Sequence, residues 1–158
     1  MIFVTVGTCR FDALIEEVDR LRGIGCLQGP VVCQIGDGLY LPQHCKYFRF
    51  APSLKPWYEQ ADMVICHGGT GSVSELLRLK KPFVAVANTA LSGNHQADFL
   101  GACEQAFGIS WCRKIADLSS AIGLAENVKP QVVSGEHLAH DLRRYLLRLH
   151  ARRSRGPF

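Results

Sequence analysis

The chain has 158 residues, 47% of them hydrophobic and 20% charged, which suits one folded domain and excludes a globally disordered chain. Its formal net charge of +4 is mild, and much of it gathers in "RRSRGPF" and the segment before it, so no nucleic-acid partner is implied for the body. No stretch approaches the roughly 18 apolar residues of a membrane span, and "MIFVTVGT" lacks the basic region of a signal peptide.

In chain order, Ile2 to Val6 reads as a buried strand ending in the turn Gly7-Thr8. Phe11, Leu14, Ile15, Val18 and Leu21 follow helical spacing, with Glu16, Glu17, Asp19 and Arg20 elsewhere around the same helix. "PVVCQIG" and "KYFRF" predict the second and third strands, and Leu54 to Gln60 a short helix. "DMVIC" predicts a fourth strand running into "HGGTG", followed by a helix from about Ser72 to Leu79. The strand "PFVAVA", a helix near "GNHQADFL", the strand "FGISWC" and a helix over "ADLSSAIGLAENV" complete the pattern. Strands alternating with helices across short glycine-rich turns predict an α/β fold, a Rossmann-like doubly wound parallel sheet. In such sheets ligands bind beyond the carboxyl ends of the strands, the rim on which both glycine turns fall.

Seven cysteines (Cys9, Cys26, Cys33, Cys45, Cys66, Cys103 and Cys112) make an odd set with no C-x-x-C spacing, against both a disulfide framework and a zinc site. They are expected reduced and mostly buried, with Cys9 the one expected to be exposed. Residues 1–133 are expected to form the domain and 134–158 a separate amphipathic helix and basic tail. There Leu138, Leu142, Tyr145, Leu146 and Leu149 form one apolar stripe among arginines, either a last helix covering the sheet or a docking face.

The segment "ICHGGTGSVSELL" carries the chemistry. A glycine turn feeding a helix exposes backbone N–H groups at the positive end of the helix dipole, so Gly68, Gly69 and Gly71 suit a phosphate. His67, Thr70 and Ser72 add side-chain donors, and Glu75 could accept from the two hydroxyls of a ribose. The bland alternative is a capping box, Ser72-x-x-Glu75, with His67 structural. Neither a P-loop nor a G-x-G-x-x-G dinucleotide fingerprint is present. Asn94, His95 and Gln96 suit sugar hydroxyls at a helix start, or else Asn94 is an N-cap beside two surface residues. Arg10, in the first turn, either reaches a diphosphate or is solvated.

Taken in order, "FVTVGT", "FDALI", "QIG", "ADMVICHGGTGSVSELLRLKKPFVAVAN" and "NHQ" resemble the cytosolic catalytic subunit of the two-part UDP-GlcNAc transferases of dolichol-linked oligosaccharide synthesis. They also resemble the bacterial exopolysaccharide counterparts, all of the glycosyltransferase family 28 C-terminal-domain type. The similarity runs from about Met1 to Leu100. It implies the C-terminal, donor half of a GT-B enzyme. By that resemblance His67 is the catalytic residue and, with Ser72, contacts the diphosphate; Glu75 holds the ribose; His95 and Gln96 face the sugar; Gly7 and Thr8 form the first phosphate-facing or cleft-facing turn. The implied reaction is an inverting, metal-independent transfer, most simply of GlcNAc, from UDP to a lipid-diphosphate-linked saccharide. No cofactor beyond the UDP-sugar substrate is expected, and no acidic D-x-D metal motif occurs. The acceptor site and base would belong to a membrane-anchored partner subunit, which would bring this cytoplasmic chain to the membrane. The alternatives are a non-catalytic UDP-sugar-binding module and a fragment of a UDP-sugar epimerase.

Overall fold

The apolar run at the N-terminus becomes β1 (Ile2–Thr5), all four residues buried, because it lies in the middle of the sheet with helices over both faces. The computed structural model of the chain describes residues 1–89 and 95–126. Asn94 and the tail from 134 onward, apolar stripe included, lie outside the described residues, as does the His95 side chain.

After β1 come α1 (Asp12–Gly23), β2 (Val31–Gln34), β3 (Lys46–Phe48), α2 (Lys55–Gln60) and β4 (Met63–His67). Then follow α3 (Thr70–Leu79), β5 (Phe83–Val86), α4 (His95–Phe107), β6 (Trp111–Cys112), a 3-10 turn at Ile115–Asp117 and α5 (Leu118–Glu126). The six strands form one parallel sheet in the order β3-β2-β1-β4-β5-β6. β1 pairs with β2 on one side, Val4 opposite Cys33, and with β4 on the other, Val4 opposite Ile65. The winding reverses between β1 and β4, so the carboxyl ends of those two strands border the crevice where a doubly wound sheet takes its ligand.

Alternation along the strands sorts the core into two layers. Val4, Cys33, Ile65 and Val84 pack with Leu14, Ile15, Val18 and Leu21 of α1 and with Leu118 and Ile122 of α5. Phe3, Val64, Cys66 and Ala85 pack with Tyr58 of α2, Leu76 and Leu77 of α3, and Phe99 and Leu100 of α4. On this second face Phe3 stacks on Trp57 at 5.7 Å between ring centroids, with Tyr58 edge-on at 5.8 Å, which seats α2 beneath the start of α3.

Three expectations change in detail. The last strand shrinks to Trp111–Cys112: α4 runs on to Phe107, and Gly108 turns the chain at φ +65, so Phe107 and Ile109 are buried at a helix end and in a loop. α3 begins at Thr70, two residues before the expected start. All seven cysteines are free, but Cys26 is the exposed one, while Cys9 is half-buried.

Candidate functional site

The first glycine turn follows β1 at the switch point. Gly7 takes φ +65, a left-handed conformation that glycine adopts without steric cost. Two polar residues inside otherwise apolar strands hold it. The Thr5 hydroxyl donates to Gln34 Oε1 and accepts from Gly7 N–H at 3.1 Å, while Gln34 Nε2 donates to the Gly7 carbonyl at 2.8 Å. Both side chains are buried, Thr5 fully. Thr8 is exposed. Arg10 is turned aside: its Nε donates to Asp12 at 2.6 Å, which favours the solvated reading of that residue.

His67 is the last residue of β4 and only 9% exposed. Its ring lies between the two glycine turns. A Cβ on Gly7 would stand 2.7 Å from His67 Cε1, and one on Gly69 only 2.2 Å from Nε2. Those two glycines therefore make room for an imidazole, which sequence pattern alone assigns to a ligand. Gly68 has a third task, because a Cβ there would stand 2.8 Å from Leu100 Cδ1, so it lets α4 close on the strand end. Burial pushes the His67 pKa down, with the Thr5 backbone group acting in the opposite direction, so the ring is neutral at pH 7. Its Nδ1 is buried without a hydrogen-bond partner among the described residues.

α3 opens with Gly69 as N-cap at φ −73, ψ 135, and no side chain caps it. Its first backbone amides are thus left for something outside the helix. The capping-box alternative fails here, because Ser72 lies inside the first turn and not at the cap. Ser72 is instead partly buried against Tyr58, whose phenol is pushed up to about 12 by burial and then by the charges of Cys66 and Glu75, with the Ser72 hydroxyl opposing. Thr70 and Gly71 are exposed, and a Cβ on Gly71 would meet nothing within 4 Å. Glu75 lies half-buried one turn further along, with no hydrogen bond or ion pair among the described residues.

Gln96, in the first turn of α4, reaches the same rim. Its Oε1 accepts from the Asn88 N–H at 2.8 Å and lies beside Gly68. Asn88, 4% exposed just beyond β5, also donates through Nδ2 to the Arg10 carbonyl at 3.0 Å. The structure thus brings Gly7, His67, Gly68, Gly69 and Gln96 together, with Thr8 next to Gly7 in the chain and Thr70, Gly71, Ser72 and Glu75 following along the first turns of α3. Sequence reading missed Thr5, Gln34 and Asn88, whose only signal is a polar residue closing an apolar strand run. A cavity of about 490 Å³ lies at the opposite end of the sheet, lined by Met1, Ile2, Met63 and Ile122 among others, and shares no residue with this crevice.

Residues 1–110 match the glycosyltransferase family 28 C-terminal domain. The chain belongs to that family. Over 108 residues it is 40% identical to the human UDP-N-acetylglucosamine transferase subunit ALG13, covering 61% of this chain and 10% of that protein. The family 28 chain therefore spans about a tenth of the length of its human and mouse relatives. Its fold is similar to the solution structure of ALG13, with a TM-score of 0.57 at 20% identity over 87% of this chain and 91% of that one. It is also similar to Acinetobacter baumannii MurG, with a TM-score of 0.56 at 17% identity over 80% of this chain and 44% of that one. At these identities the two structures speak for the fold alone.

Proposed function

We propose that this family 28 domain is the donor-binding subunit of a glycosyltransferase that moves a sugar from UDP to a lipid-diphosphate-linked saccharide. The observation that carries the reading is the start of α3, an uncapped helix N-terminus at the switch point beside a buried imidazole with an unpartnered Nδ1. Such an end offers backbone amides and the positive pole of the helix to an anion, and a diphosphate supplies one. GlcNAc is the favoured sugar because the human and mouse relatives are named UDP-N-acetylglucosamine transferase subunits. The word subunit in those names also favours a partner.

In this reading the diphosphate lies over Thr70, Gly71 and Ser72, the Glu75 carboxylate accepts from the ribose hydroxyls, and Gln96 faces the sugar with His95 and Asn94. Transfer breaks the bond from the anomeric carbon to the β-phosphate oxygen, so negative charge grows on the diphosphate. Donors already aimed at that charge lower the barrier, and neutral His67 contributes an N–H as the catalytic residue. The acceptor hydroxyl attacks the opposite face, inverting the centre, and gives its proton to a base on a membrane-anchored partner. No metal takes part in this scheme.

Calorimetric titration with UDP, UDP-GlcNAc, ADP and NAD, with EDTA present, tests the reading. Selective binding of the two uridine ligands, lost in His67→Ala, is the expected result. Equal binding of ADP, or no uridine-nucleotide binding, overturns it. Binding without sugar transfer in the presence of the partner would favour a non-catalytic UDP-sugar module.

A further inference from the structure

We propose that Asn88 is a positioning residue that locks the first glycine turn to the sugar-facing start of α4, an inference that rests on the donor-site reading above. Asn88 is buried at the rim and reaches two segments far apart in sequence. Its Nδ2 donates to the Arg10 carbonyl, 78 residues away, at 3.0 Å, and its backbone N–H donates to Gln96 Oε1 at 2.8 Å. One residue therefore bonds both the cleft-facing first turn and the side chain assigned to the sugar.

The first turn is clamped from two sides. Gln34 Nε2 holds the Gly7 carbonyl at 2.8 Å from the β2 side, and Asn88 holds the Arg10 carbonyl from the β5 side. The two clamps stand on opposite sides of the switch point. Without the Asn88 amide, the turn keeps its tether at Gly7 and loses it at Arg10. On the other arm, engaging Gln96 Oε1 fixes the carboxamide so that its Nε2 donors are the end offered to a ligand. Asn88 thus sets the spacing between the first turn and the sugar-facing side chain. It should matter for a ligand that carries the sugar into that space and little for one that stops at the first phosphate.

The test uses Asn88→Ala and Asn88→Asp in the full chain. Both keep the backbone N–H to Gln96 and remove the amide donor to the Arg10 carbonyl, and the near-isosteric Asn88→Asp serves if Asn88→Ala does not fold. In the ligand-free protein, exchange of the Gly7 and Cys9 amides, bonded to Thr5 Oγ1 at 3.1 Å and the Val6 carbonyl at 3.4 Å, is expected to quicken. The acceleration should be about tenfold, with the β1 and β4 strand amides unchanged. UDP-GlcNAc affinity is expected to fall about five- to tenfold, the loss of one hydrogen bond, and UMP affinity by less than about twofold. In the Asn88→Asp variant, protonation of the introduced carboxyl would restore a donor to the Arg10 carbonyl. Its affinity should therefore recover toward acid pH relative to Asn88→Ala. Unchanged exchange at Gly7 and Cys9, or equal losses for UMP and UDP-GlcNAc, overturns the proposal. If the wild-type chain binds neither nucleotide, the donor-site reading falls, and the exchange experiment still decides whether Asn88 holds the turn.

Discussion

Gly69→Ala probes the imidazole pocket without straining the backbone. Gly69 sits at φ −73, ψ 135, an extended conformation open to any residue. The added methyl would stand 2.2 Å from His67 Nε2 and 2.9 Å from Cδ2, far inside van der Waals contact. The ring has little room to retreat, because it is buried and the Gly7 backbone also comes close to it, a Cβ there standing only 2.7 Å from Cε1. Overpacking of this kind costs about 1–3 kcal/mol. Restricting the unfolded chain returns about 0.4–1 kcal/mol. A net loss of about 1–2 kcal/mol in urea unfolding is expected from these opposing terms. The decisive assay is a double-mutant cycle with His67→Ala. With the ring removed the methyl enters vacated space, so Gly69→Ala should become neutral or stabilising, a coupling of about 1–3 kcal/mol. Additive losses, or a Gly69→Ala variant as stable as wild type, would refute the packing of His67 between the two turns.

Glu75→Ala should weaken UDP binding by about 1–3 kcal/mol and leave stability nearly unchanged, because the carboxylate has no partner to lose among the described residues; calorimetry giving the same UDP affinity would sink the ribose assignment. Gly71→Ala should stabilise the fold by about 0.5–1 kcal/mol, since a helical alanine replaces glycine in open space, while weakening UDP binding through the methyl; a lower urea midpoint would contradict the described start of α3. The pH dependence follows from His67, whose folded value burial holds below the ordinary 6.5. Between those two values the unfolded chain binds more protons, so stability rises with pH in that window. The contribution is complete above about pH 6.5 and is lost as pH falls toward the depressed folded value. His67→Gln should flatten that part of the urea-midpoint profile, and parallel profiles for the two proteins would show that another group controls it.

The parallel sheet and the rim were legible because they rest on local signals: buried strand runs, helical spacing and a glycine turn after each of two strands. The start of α3 was harder to read. Ser72-x-x-Glu75 has the spacing of a capping box, and nothing nearby in sequence announces that Gly69 starts the helix. The reason lies across the switch point. His67 fills the space a side chain at position 69 would need, so the cap is a glycine and the helix begins with Thr70. Asn88, Thr5 and Gln34 escaped notice for a similar reason, since the carbonyls and amides they serve belong to turns brought near only by the fold. Periodicity reports which face a residue occupies and is silent about such partners.

The same packing narrows what a ligand can touch. Gly7 and Gly69 are filled by the imidazole and Gly68 by α4, so three of the four site glycines are explained without any guest. Gly71 is not, because a Cβ there would project into open space at the exposed start of a helix, where alanine would be the more stable choice. In the proposed donor site that glycine, with the uncapped amides beside it and the unpartnered Nδ1 of His67, is where the anion would approach. A glycine turn that looks built for phosphate is, for the most part, built to hold the histidine that would face it.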